Sequence, residues 1–282
     1  MSNTTSTTTS ILISTATALE ALLSLIHPSC TLYLDLEGKD LSRDGNLSII
    51  TLLVYDTEWI VRLVDVLALG ASTFTIASPD GKTLKSIFED PNIPKCFWDV
   101  RNDADALWAH YQVDLAGVVD IQLLENASRV GDKMYIRGLD KCIQYDLKPG
   151  TRELKRWLKI KKDIKSRFSG DLFAIRPMEA KTIEYCTNDV VHLPALHKLY
   201  RGRLDRLWLS RVKEESAQRV REAHSPGYEP RSPSKTLGPW GSSTKHLRTL
   251  DDILDELEGL GMDELEQEIL GEDDFDFDDF RF

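Results

Sequence analysis

The heptapeptide Thr31-Leu32-Tyr33-Leu34-Asp35-Leu36-Glu37 narrows the choice of fold more than any other stretch of this chain. Leu32, Leu34 and Leu36 alternate with Tyr33, Asp35 and Glu37, which is the period of a β-strand. Such a strand turns its leucines to one side and projects both carboxylates from the other. Much later, Tyr185-Cys186-Thr187-Asn188-Asp189 lies in a stretch of helical patterning. There the i, i+4 spacing sets Tyr185 and Asp189 on one face, a turn apart. Three carboxylates and a phenol converging from a strand and a helix suit hard divalent cations, which take oxygen ligands. That is the chemistry of two-metal phosphodiester cleavage. Taken singly, each motif also fits a plainer role, as a solvated strand end or a packing tyrosine beside a surface acid.

The segment between them supplies a fourth acid. Residues 94–100 have strand character, and Arg101-Asn102-Asp103-Ala104-Asp105-Ala106-Leu107-Trp108 opens a helix. Asn102 or Asp103 would serve as a cap there, since short polar side chains satisfy free helix amides. In this order, Asp35-x-Glu37, an Asn-Asp-x-x-x-Leu element at 102–107 and Tyr185-x-x-x-Asp189, the chain resembles the tyrosine branch of the DEDD 3′–5′ exonucleases. It is closest in style to ribonuclease D, the Werner exonuclease domain and the Egalitarian-like eukaryotic proteins. The resemblance runs from residue 28 to residue 200. Residues 47–54 and 60–66 are similar to the family's second and third strands, and 138–142 to the start of a later helix. In 117–123, Asp120 falls where the family keeps a structural aspartate. Tyr185 sets the branch: the sister branch carries histidine five residues before the last aspartate, where this chain has Glu184. Trp98-Asp99 departs from the residues that often precede motif II. Asp105 is an alternative ligand to Asp103, which has Leu107 at the family's offset.

The resemblance implies a two-metal-ion 3′–5′ exonuclease acting on the 3′ end of single-stranded or frayed nucleic acid, with RNA ahead of DNA. Asp35 would bridge two Mg²⁺ or Mn²⁺ ions, Glu37 and Asp189 would complete the first site, and Asp103 would hold the second ion. Tyr185, with an unperturbed hydroxyl pKa of ~10, would orient the attacking water rather than deprotonate it. The alternative is a catalytically silent RNA-binding or adaptor module of Egalitarian type. A binding module has no need to cluster repelling carboxylates, which favours catalysis.

The net charge of −11 misleads about partners. All of the excess negative charge belongs to residues 225–282, and the rest of the chain is balanced. Within the balanced part, residues 148–167 carry nine Lys/Arg against Glu153 and Asp163. Lys155, Arg156, Lys159, Lys161, Lys162, Lys165 and Arg167 form a candidate surface for nucleic acid, with Trp157 and Phe168 placed for stacking. The same residues would also make an ordinary solvated helix face.

The four cysteines are far apart and form no CxxC, which speaks against zinc and a disulfide framework. The uncharged, Ser/Thr-rich start lacks the basic residues of a signal peptide, and no run approaches membrane-spanning length. The expectation is an intracellular protein of cytoplasm or nucleus, not secreted and with no membrane contact. Gly81-Lys82-Thr83 lacks the leading glycine of a phosphate loop, because position 76 is Ile. His192 and His197 lie on different helix faces and read as surface or packing residues.

The pattern predicts a short helix at 14–27 and strands at 31–37, 47–55, 59–66, 73–76, 95–99 and 118–121. Further helices are expected at 82–89, 103–111, 121–130, 137–146, 150–160, 177–200 and 203–223. This makes an α/β protein, a ribonuclease H-like mixed sheet flanked by helices, with a disordered acidic C-terminal tail. The domain reading is an N-terminal segment and helix at 1–27, the exonuclease domain with a helical extension at 28–224, a Pro/Gly/Ser linker at 225–249 and the tail at 250–282. Acid alternating with Phe275, Phe277 and Phe280 suits a protein-docking peptide, or an intramolecular competitor for the basic 148–167 surface.

Overall fold

A computed structural model describes residues 9–55, 59–167 and 170–241. The acidic tail, with its expected partner contact, and Phe168 lie outside these residues. One six-stranded mixed sheet organises the chain, with strand order β1-β4-β3-β2-β5-β6. The strands are β1 (Thr9–Ile13), β2 (Thr31–Glu37), β3 (Ile49–Tyr55), β4 (Ile60–Asp65), β5 (Lys95–Phe97) and β6 (Val118–Asp120). β2, β3 and β4 are antiparallel neighbours, with Asp35 opposite Thr51 and Glu37 opposite Ile49. β5 runs parallel to β2, and β6 parallel to β5. The ribonuclease H-like reading of a mixed sheet between helices stands.

Alternation in β2 divides two cores. Leu32, Leu34 and Leu36 join one apolar cluster, built against α1 (Ala16–Ser24), α3 (Leu84–Glu89) and α4 (Arg101–Tyr111). Tyr33 joins a second cluster on the opposite face, against α5 (Ile121–Ser128), α7 (Thr151–Lys165), α8 (Ala180–Val191) and α9 (Leu193–Arg201). Asp35 and Glu37 share the face of Tyr33 and so point at α8. The short helices α2 (Val66–Leu69) and α6 (Leu139–Cys142) join longer elements, and α10 (Arg206–His224) closes the fold over α4, α5 and β6.

Several expectations are corrected. Residues 73–76 form no strand: Gly70–Phe74 is a 3₁₀ turn, closed by Thr73 Oγ1 donating to Gly70 O at 2.7 Å. It is anchored by Phe74 against Phe88 and Tyr111. The helix expected at 177–200 breaks at His192, where Pro194 enters the first turn of α9 and has no N–H to continue the ladder. Residues 9–13 are an edge strand parallel to β4. Residues 225–241 do not run free as a linker: they bond to Arg101 and Asn102 at the start of α4 and pair with the 133–137 loop, Gly238 N–H donating to Met134 O at 2.6 Å. No described helix is long and apolar enough to cross a membrane.

Candidate active site

The site forms where β2 ends under α8. One oxygen from each of Asp35, Glu37 and Asp189 lies within 4.8 Å of the others. Asp35 and Glu37 come two residues apart from one face of β2. Asp189 hangs from α8 one turn after Tyr185, as the i, i+4 spacing requires.

Like charges this close in a protein interior resist ionisation together. Burial, then the Asp189 charge, pushes Asp35 up to about 8. Glu37 is raised well above the carboxylate range by burial and by Asp35 and Asp189. Asp189 rises to about 6 through burial, held back by Lys161 and by a hydrogen bond from the Tyr185 hydroxyl. Tyr185 itself is raised by burial and by the three carboxylates, so its phenol stays protonated.

The two aspartates of motif II, both on α4, differ in their surroundings. Asp103 and Asp105 are both buried. Asp105 accepts from Arg43 N–H at 2.7 Å and from Arg43 Nε at 2.6 Å, so its charge is matched on the side away from the cluster. Asp103 lies within electrostatic range of Asp35, and its acidity is weakened by burial and by that neighbour. Its Oδ1 is buried without a hydrogen-bond partner among the described residues. An orphaned carboxylate oxygen is costly. Beside three crowded carboxylates it fits a pocket that takes its positive charge from divalent cations with oxygen ligands.

Asp120 holds this geometry from behind. Its carboxylate accepts from the N–H groups of Asp99 and Val100 at 3.1 Å each, from Gln122 N–H at 3.0 Å and from Arg219 Nη1 at 2.7 Å. Arg101 grips Asp99 at 2.6 and 2.7 Å. The sequence marked Asp120 as structural, but Arg219 carried no local signal because its partners sit far away in the chain.

The basic stretch divides. Lys155, Arg156, Lys159, Lys162, Lys165 and Arg167 are exposed, whereas Lys161 is turned inward. Lys161 lies over the Trp157 ring, 3.5 Å from Asp140, and its charge reaches Asp35 and Asp189. Arg156 pairs with Glu184 and Arg167 with Glu179. Trp157, expected as a stacking platform, is instead buried in the core, because α7 turns its apolar side inward where it packs on α8. His197 is likewise internal, accepting or donating at 2.9 Å with the Tyr33 hydroxyl.

The family model for 3′–5′ exonucleases matches residues 10–204. No curated protein sequence matches the chain. Among solved structures it is similar to RNase D from Trypanosoma brucei, at 22% identity and a TM-score of 0.63 over 77% of this chain and 73% of that one. The same protein in complex with RNA U12 gives 21% identity and a TM-score of 0.62 over 77% and 70%. RNase D from Escherichia coli, an exoribonuclease involved in structured RNA processing, gives 20% identity and a TM-score of 0.55 over 76% and 50%.

Proposed function

The chain belongs to the 3′–5′ exonuclease family, and from that premise we propose that it removes nucleotides one at a time from the 3′ end of single-stranded or frayed nucleic acid, RNA ahead of DNA. The observation that carries this reading is the convergence of Asp35, Glu37 and Asp189 within 4.8 Å, beside an Asp103 whose Oδ1 is buried without a hydrogen-bond partner among the described residues and whose charge reaches Asp35 and Glu37. Asp35, Glu37 and Asp189 would hold one Mg²⁺ or Mn²⁺ ion, and Asp35 with Asp103 a second. Bound there, the ions supply an acidified water and neutralise charge on the leaving 3′-oxygen.

The chain's own groups do the rest. The Tyr185 hydroxyl donates to Asp189, which leaves an oxygen lone pair to accept from a water and aim it. A phenol raised this far cannot serve as general base at neutral pH. The exposed lysines of α7 would extend from this centre, since Lys165, like the inward-turned Lys161, acts on Asp189. They would track the phosphates of the strand leading into the site.

The deciding experiment gives purified protein single-stranded RNA and DNA oligonucleotides labelled at the 5′ end, with Mg²⁺ or Mn²⁺. A ladder shortening from the 3′ end, with release of nucleoside 5′-monophosphates, is expected. Inactivity on both polymers with every divalent ion, while binding persists, would replace this reading with the silent adaptor.

A further inference from the structure

The helix that carries Asp103 starts without a cap of its own. Val100 stands at the N-cap position and makes no side-chain cap hydrogen bond. The residue before it, Asp99, adopts φ +63°, a conformation that costs about 1 kcal/mol or more for a residue with a Cβ. The first turn of α4 is therefore set by tertiary contacts. One set is the Asp120–Arg219 network behind the turn. The other comes from the segment after α10.

That segment reaches the helix through Asn102, the neighbour of Asp103. Asn102 Oδ1 accepts from the Tyr228 hydroxyl at 2.7 Å and from Lys235 Nζ at 2.5 Å. Lys235 Nζ also donates to the Tyr228 hydroxyl at 3.0 Å and to Pro230 O at 3.1 Å. The Lys235 carbonyl accepts from Arg101 Nη2 at 2.8 Å, which ties the same segment to the first residue of the helix. Between the segment and α10 lies a polar cavity of about 390 Å³, lined by Arg101, Arg219, Tyr228 and Lys235 among others. The node is thus a discrete polar contact at the rim of a cavity and not part of an apolar core.

We propose that Tyr228 and Lys235 are positioning residues for the proposed exonuclease site, holding Asp103 through Asn102 in the orientation that receives the second metal ion. The inference rests on the metal-binding reading of the four carboxylates. Neither residue touches that cluster. Their effect is to remove rotational freedom from the first turn of α4, so that Asp103 is ordered before the ion arrives. Partners bonded directly to a metal ligand are worth about 10- to 100-fold in metal affinity. One bond further out, the expected effect is about 3- to 10-fold.

The test uses the full chain and Mn²⁺ alone, followed by electron paramagnetic resonance and calorimetry without substrate. Tyr228→Phe and Lys235→Met should each weaken the looser of two Mn²⁺ binding steps about 3- to 10-fold and leave the tighter step and the melting temperature unchanged. With an oligonucleotide, kcat should fall at limiting Mn²⁺ at constant KM, and excess Mn²⁺ should restore it. Arg231→Ala, on the same segment but in an exposed pair with Asp40, should behave as wild type. Unaltered Mn²⁺ binding in both variants, or equal weakening of both steps with a fall in melting temperature, overturns the proposal. Tighter binding in Lys235→Met would make its role one of charge alone and overturn it as well. A wild-type protein that binds no Mn²⁺ brings down the metal reading together with the node, an outcome distinct from failure of the variants alone.

Discussion

Two groups of acidic side chains, buried or partly buried, flank the motif II turn, and they are treated in opposite ways. Behind the turn, Asp99 and Asp120 are matched by Arg101, Arg219 and backbone N–H groups, and Asp99 is held below the usual carboxylate range despite burial, by Arg101 and Arg219. In front of it, Asp35, Glu37 and Asp189 converge, with Asp103 in electrostatic range of Asp35 and Glu37, and every one is raised, first by burial. The fold can neutralise interior acids, because it does so a few ångströms away. The front set, raised where the rear set is lowered, is a group that could hold a metal ion. α4 carries the contrast within one turn: Asp105 is spent on Arg43, while Asp103 keeps an orphan oxygen.

The largest effect expected from this contrast is at Asp35. Asp35→Asn removes the charge shared by both proposed ions and should lower kcat at least ~1000-fold, while oligonucleotide binding persists. Turnover at the wild-type rate would place the chemistry elsewhere. Next comes the pair on α4. Asp103→Asn should cost turnover at little cost in folding. Asp105→Asn should do the reverse, losing about 1.5–3 kcal/mol of stability as Arg43 gives up a charged partner, read by denaturant titration beside kcat. Exchange of the two phenotypes would show that Asp105 is the ligand.

Tyr185→Phe keeps the ring against Phe173 and deletes the hydroxyl. A fall in kcat of ~10- to 1000-fold with KM unchanged is expected. An unchanged kcat would reduce Tyr185 to a packing residue. The smallest effect is on stability without metal. Asp35 near 8 and Asp189 near 6 hold protons in the folded state that the unfolded chain, at the ordinary 3.8, has already released. Stability should therefore fall as pH rises from about 4 towards 8. Melting curves in EDTA should show a decline of a few degrees across that window, and saturating Mn²⁺ should flatten it. A metal-free melting temperature that climbs with pH would mean that the front carboxylates are matched after all.

What the amino-acid sequence determined by itself was whatever depends on neighbours in the chain. Alternation in β2 put Asp35 and Glu37 on one face and the leucines on the other. A turn of helix put Tyr185 above Asp189. Their order along the chain identified the family. These relations follow from backbone geometry that repeats every two or every 3.6 residues. Other choices belonged to the tertiary structure alone. Asp103 and Asp105 look alike in the sequence, and Arg43 separates them from a loop far upstream. Residues 9–13 showed no alternation, because a strand at the sheet edge need bury only Ile13, and its partner β4 lies some fifty residues on. The Pro/Gly/Ser composition of 225–241 read as a linker, because Tyr228 and Lys235 find their acceptor, Asn102, only when α10 brings the chain back across α4. Where a side chain's partner is distant in sequence, no local period encodes the contact, and packing decides it.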